Sequence, residues 1–94
     1  MQMLYLMKIR KQEYGNCNVV GKNIEYLRKS KGIKQKDFIS KLQTMGVDIN
    51  PASYSKLEGQ VRFATDIELY AIAKILGVTI DSLFEKKEEI QEIL

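Results

Sequence analysis

An all-α fold, a compact bundle of five short helices behind an N-terminal extension, is the class this sequence predicts. Three observations predict it. Apolar residues recur at three- and four-residue spacing in successive segments. Glycine follows four of those segments, at Gly32, Gly46, Gly59 and Gly77. Capping residues precede two of them, at Asn50 and Thr65.

Residues 1–20 form the extension. Met3, Tyr5, Met7 and Ile9 alternate with Leu4, Leu6 and Lys8, a weakly strand-like pattern, and "YGNCN" is a turn signal. A strand that pairs with a partner and a disordered leader both fit this composition. The first helix is expected in "GKNIEYLRKSKG", with Val20, Ile24 and Leu27 on one face and Gly32 as its stop. The second is expected in "KQKDFISKLQTMG", where Phe38, Ile39, Leu42 and Met45 make one apolar stripe. "INPASYSKLEGQ" carries the third. Asn50 is its N-cap, Pro51 occupies the first position, and Ile49 with Tyr54 forms a hydrophobic staple. Tyr54 and Leu57 pin it inward, leaving Ala52, Ser53, Ser55 and Lys56 on the other face. The fourth, "TDIELYAIAKILG", opens on a Thr65/Glu68 capping box and is apolar on most sides, which places it centrally in the core. Thr79 caps a fifth, "IDSLFEKKEEIQEIL". Its Leu83, Phe84, Ile90, Ile93 and Leu94 continue into an amphipathic tail over residues 85–94.

Ninety-four residues suggest one domain. The chain has no histidine and one cysteine. That excludes a histidine base, a Cys/His zinc site and an internal disulfide, and no metal or cofactor is expected. Cys17 is expected to be a plain thiol in a reducing, cytoplasmic setting. No apolar run approaches membrane-spanning length. Neither a carboxylate pair, a nucleophile with its base, nor a phosphate-cradling glycine loop is visible, so no enzyme is expected. Charge is uneven. Residues 1–41 hold ten Lys/Arg against three Asp/Glu, and residues 42–94 hold five against nine. A polyanion partner for one face accounts for this asymmetry, as does a solvated surface with scattered charge.

"IEYLRKSKGIKQKDFISKL", "SYSKLEG" and "LYAIAKILGVTIDSLF", in that order, resemble the helix-turn-helix DNA-binding domain of the phage Cro and lambda-type repressor (Xre-like) family. The resemblance covers residues 21–84. It rests on Arg28 four before Gly32, Gln35 three after it, Glu58 closing the third helix, and "IAKILGV" fourteen residues beyond Glu58. It implies a sequence-specific regulator of transcription, a repressor, with the third helix, Pro51–Glu58, in the major groove of double-stranded DNA. Pro51, Ala52, Ser55 and Lys56 would then face bases. Lys34, Gln35, Lys36, Ser53, Gln60 and Arg62 would face phosphates. Arg28 and Glu58 would form a structural ion pair. Lys34 and Lys36 also carry a family-independent hint. A lysine at a helix N-terminus opposes the dipole by a few tenths of a kcal/mol, and becomes useful once an anion docks there.

The chain departs from the family's pattern in two places. The stretch between Leu42 and Asn50 is longer, which bears on the angle of the third helix. Gly59 and Gln60 replace the usual Asn-Gly pair. The family binds two-fold sites as dimers, with half-sites about 34 Å apart. A homodimer is therefore expected, through Leu83, Phe84, Ile90, Ile93 and Leu94 or through the extension. A module of the same fold serving as adaptor or antitoxin is the alternative function.

Overall fold

The computed structural model describes residues 17–85. Over that span the chain is all-helical, with four α-helices rather than five and no strand among the described residues. They are α1 (Gly21–Ser30), α2 (Gln35–Thr44), α3 (Pro51–Glu58) and α4 (Asp66–Leu76). A 3-10 turn, Asp81–Phe84, stands where the fifth helix was expected to begin. Its N-cap is Ile80, one residue later than the predicted Thr79, although the Ser82 N–H still donates to Thr79 Oγ1. It goes no further than one turn because the Leu83 carbonyl accepts from Asn23 Nδ2 on α1 and Glu85 is extended. Of the expected extension (1–20) and tail (85–94), residues 1–16 and 86–94 lie outside the described residues.

Each α-helix stops in the same way. A residue turns to positive φ, just after the cap in α1, α2 and α3 and at the cap itself in α4, and its own N–H and the next bond back to the last-turn carbonyls. Gly32, Gly46 and Gly77 supply that conformation after α1, α2 and α4. After α3 it is Gln60, at φ 64, and not Gly59. The Gln60 N–H donates to the Leu57 carbonyl and the Val61 N–H to the Lys56 carbonyl. A left-handed conformation costs a side chain of this kind roughly 1–2 kcal/mol. What offsets that cost is the N-terminal segment: Cys17 N–H donates to the Gln60 carbonyl and Gln60 Nε2 to the Asn18 carbonyl. The packed domain thus reaches back to Cys17.

Tyr54, Phe38, Ile24, Leu42, Leu57, Ile72, Leu76, Leu83 and Val20 are fully buried. Each large aliphatic or aromatic among them contributes about 1.5–3 kcal/mol by leaving water. The Phe38 and Tyr54 rings meet at 5.6 Å, tilted by 49°, and join α2 to α3. Both α1 and α2 pack against α3 and against α4. The long α2–α3 connection is no slack loop. It opens on the same stop, with the Val47 N–H on the Leu42 carbonyl, and it buries Val47 and Ile49. Gln43 Nε2 also donates to the Ile49 carbonyl, so the start of α3 is held from three sides. Of the added stretch, Gln43 and Thr44 lie in the last turn of α2 and Gly46 to Asn50 form this anchored link.

Three apolar residues of these segments are on the surface. Met45 falls beyond the end of α2 and is 46% exposed. Ile67 and Tyr70 are 65% and 56% exposed. α4 buries Ala71, Ile72, Ala73 and Leu76 on one side only, so its sequence overstates its burial. Leu83, expected at a dimer surface, is consumed by the chain's own core.

Arg62 is the link between α3 and α4. Its Nε donates to the Ser53 carbonyl, Nη1 to the Phe63 carbonyl, and both terminal nitrogens to Glu68 at 2.9 Å. Glu68 in turn closes the Thr65 capping box. Burial alone would raise the Glu68 carboxyl, but the Arg62 and Thr65 bonds outweigh it and hold it below its ordinary value. With the folded value below the unfolded one, this stabilisation is present above the ordinary carboxylate range and is lost as pH falls through the folded value. Arg62→Met should therefore flatten the decline of stability on acidification below about pH 5, as read from urea denaturation midpoints.

Candidate nucleic-acid interface

α3 divides its residues cleanly. Tyr54, Leu57 and Glu58 are buried, whereas Pro51, Ala52, Ser55 and Lys56 are exposed and Ser53 is half-buried. The sequence accounts for this locally. The Asn50 side chain accepts from the Ser53 N–H at 2.8 Å, and Pro51 sits in the first turn, where its missing N–H costs nothing. Ile49 and Tyr54 are both buried, as a hydrophobic staple requires. The outer face therefore carries small side chains and one lysine.

Beside it stands the N-terminus of α2. Lys34 is its N-cap in extended conformation, and no side chain caps the helix, in contrast to Asn50 on α3 and Thr65 on α4. Lys34 and Lys36 are both exposed. Asp37 in the first turn is the residue that matches the dipole there.

The bases of the two helices are joined by a buried polar cluster. Arg28 and Glu58 pair as the resemblance implied. Nε donates to Oε2 at 2.7 Å and Nη2 to Oε1 at 3.2 Å. Arg28 Nη1 also donates to the Ile33 carbonyl, so the pair fixes the α1–α2 corner as well. The bond from Glu58 raises the Arg28 guanidinium pKa further, against desolvation. Two members were missed. Tyr54 Oη donates to Glu58 Oε2, and Gln35 Nε2 donates to Glu58 Oε1 at 3.2 Å. Burial, reinforced by Glu58, pushes the Tyr54 phenol far above its ordinary value. The four-residue spacing of Tyr54 and Glu58 was a readable signal for one of them. Gln35 offered none, because its partner is 23 residues away.

Several expected contacts therefore stand differently. Gln35 is not a free phosphate donor: one amide hydrogen goes to Glu58, and its Oε1 accepts from the Ser55 hydroxyl at 3.4 Å. The second amide hydrogen leaves donation outward chemically possible. Ser55, expected at the bases, is tied to that same amide. Arg62 is engaged inside the fold at every nitrogen, and Gln60 is held by Asn18. Neither is placed as a phosphate contact. Pro51, Ala52 and Lys56 on α3, with Lys34 and Lys36 on α2, remain as one exposed face. No protein family, curated protein or solved structure matches the chain.

Proposed function

We propose that this chain binds double-stranded DNA sequence-specifically and regulates transcription, as a repressor, by occupying promoter DNA. The observation that carries it is the exposed, thinly clothed face of α3 beside an uncapped, lysine-flanked helix start. A major groove about 12 Å wide admits an α-helix. Small residues at Pro51 and Ala52 let the backbone approach, and suit the thymine methyl group. Lys56 reaches for guanine O6 and N7. With so few donors, the shape of the duplex supplies part of the specificity. Lys34 and Lys36 neutralise phosphates, and the second amide hydrogen of Gln35 adds to them. Two copies on a two-fold site follow from this reading. Of the residues expected to join them, Phe84 is half-exposed, whereas Ile90, Ile93 and Leu94 lie outside the described residues.

Selection of bound duplexes from a random library, repeated across salt, tests this. A half-site motif should be enriched. Lys34→Gln and Lys36→Gln should each flatten the dependence of log affinity on log salt by about 0.9, with the motif unchanged. Lys56→Ala should cost about 1–3 kcal/mol and relax one position of the motif. The exposed Val61 and Phe63 favour a second function, a protein-interaction module acting as adaptor or antitoxin. Absence of any motif at low salt, with a protein bound through those residues, selects it. Among the described residues no helix is long and apolar enough to cross a membrane.

A further inference from the structure

Among the described residues nothing covers the outward face of α4. Asp66, Ile67, Tyr70 and Lys74 share it and are all exposed, while the opposite side carries the core. Ile67 and Tyr70 sit one turn apart and give it an apolar middle. Its ends are oppositely charged: Asp66 in the first turn, Lys74 in the last. Neither has an ion-pair partner among the described residues; the Lys74 ammonium lies 5.4 Å from the centre of the Tyr70 ring. Tyr70 falls midway between the two charges, each about 6 Å away along the axis.

This order is self-complementary. Turn a second α4 antiparallel about a two-fold axis through Tyr70, and each Asp66 faces the other copy's Lys74. The two tyrosines meet at the axis, and each Ile67 covers the other's Tyr70. A parallel arrangement sets like charges together instead. We propose that the outer face of α4 seats a second copy of this chain, antiparallel and two-fold, through Asp66, Ile67, Tyr70 and Lys74. Charge complementarity selects this occupant, because an unrelated acidic or basic partner would satisfy only one end. A pair of single helix faces falls below the roughly 1,200 Å² of a stable interface, so the association is weak and reversible. It gives a surface, other than the residues expected from the sequence, to the pairing that the DNA-binding proposal calls for, and it does not rest on that proposal, since it forms without nucleic acid.

Sedimentation equilibrium of the full chain, without DNA, from micromolar to millimolar concentration is the test. The parent should show a monomer–dimer equilibrium. Asp66→Lys and Lys74→Asp should each weaken it about tenfold or more, since like charges then face each other. An equimolar mixture of these two variants should restore association, and so should the double reversal in one chain. Should a reversal fail to fold by circular dichroism, Tyr70→Asp, on a residue more than half exposed, should abolish the dimer in its place. A parent that stays monomeric throughout overturns the proposal. So does a dimer indifferent to these changes, which would move the contact to residues outside this face.

Discussion

Glu58→Ala is expected to remove about 3–5 kcal/mol of folding stability. The carboxylate receives Arg28, Tyr54 and Gln35 together, from three different helices. Truncating it leaves a guanidinium that is 6% exposed without its counter-charge, and a buried phenol without an acceptor. Small domains have only about 5–15 kcal/mol in total, so this variant should be partly unfolded at room temperature by urea titration. The pair itself is a different matter from either member. Its mutual attraction is largely cancelled by the desolvation of both ions. Arg28→Met combined with Glu58→Met should therefore lose less than the two single changes added together. A double variant as damaged as that sum would mean that the two residues do not act as a unit. Under the proposed function, DNA affinity offers an independent reading. Gln35 is oriented by Glu58 and itself holds Ser55, so the cluster governs the outer face as well as the fold.

How much of this could be read in advance follows from the range of each interaction. Asn50, Pro51 and the Thr65/Glu68 box act within three or four residues, and all of them form as their spacing implies. The same holds for the stops at Gly32, Gly46 and Gly77. Periodicity was less informative where a helix is apolar all round. Ile67 and Tyr70 have core composition, yet the face they share has nothing of the described chain to cover it. Composition records hydrophobicity but not which neighbour arrives. Long-range polar contacts were the least legible. Asn18 and Asn23 look like ordinary polar residues. They hold carbonyls 39 and 60 residues away, at Leu57 and Leu83. Arg62 was incompletely legible for the same reason: an arginine in a loop beside a polar helix suits a phosphate, and only the fold reveals Glu68 and the Ser53 carbonyl around it.

Gly21→Ala is the second large effect, expected at about 2–3 kcal/mol or more of destabilisation. Helix propensity alone points the other way, since alanine exceeds glycine by up to about 1 kcal/mol within a helix. Packing reverses the sign. A Cβ at position 21 would stand 2.3 Å from the Leu57 carbonyl oxygen and 2.7 Å from that of Glu58. Both are main-chain atoms, so no rotamer change relieves the conflict and α1 must separate from the end of α3. That separation breaks Asn18, whose Oδ1 accepts from the Gly21 N–H while its Nδ2 bonds the Leu57 and Arg62 carbonyls. It also stretches Arg28 from Glu58. For a domain of this size the loss corresponds to a fall of roughly 10–20 °C in Tm, measurable by calorimetry. Because the end of α3 moves with its carbonyls, the proposed function adds that binding to a selected DNA site should weaken more than binding to random duplex. An unchanged or raised Tm would mean that α1 and α3 do not approach this closely.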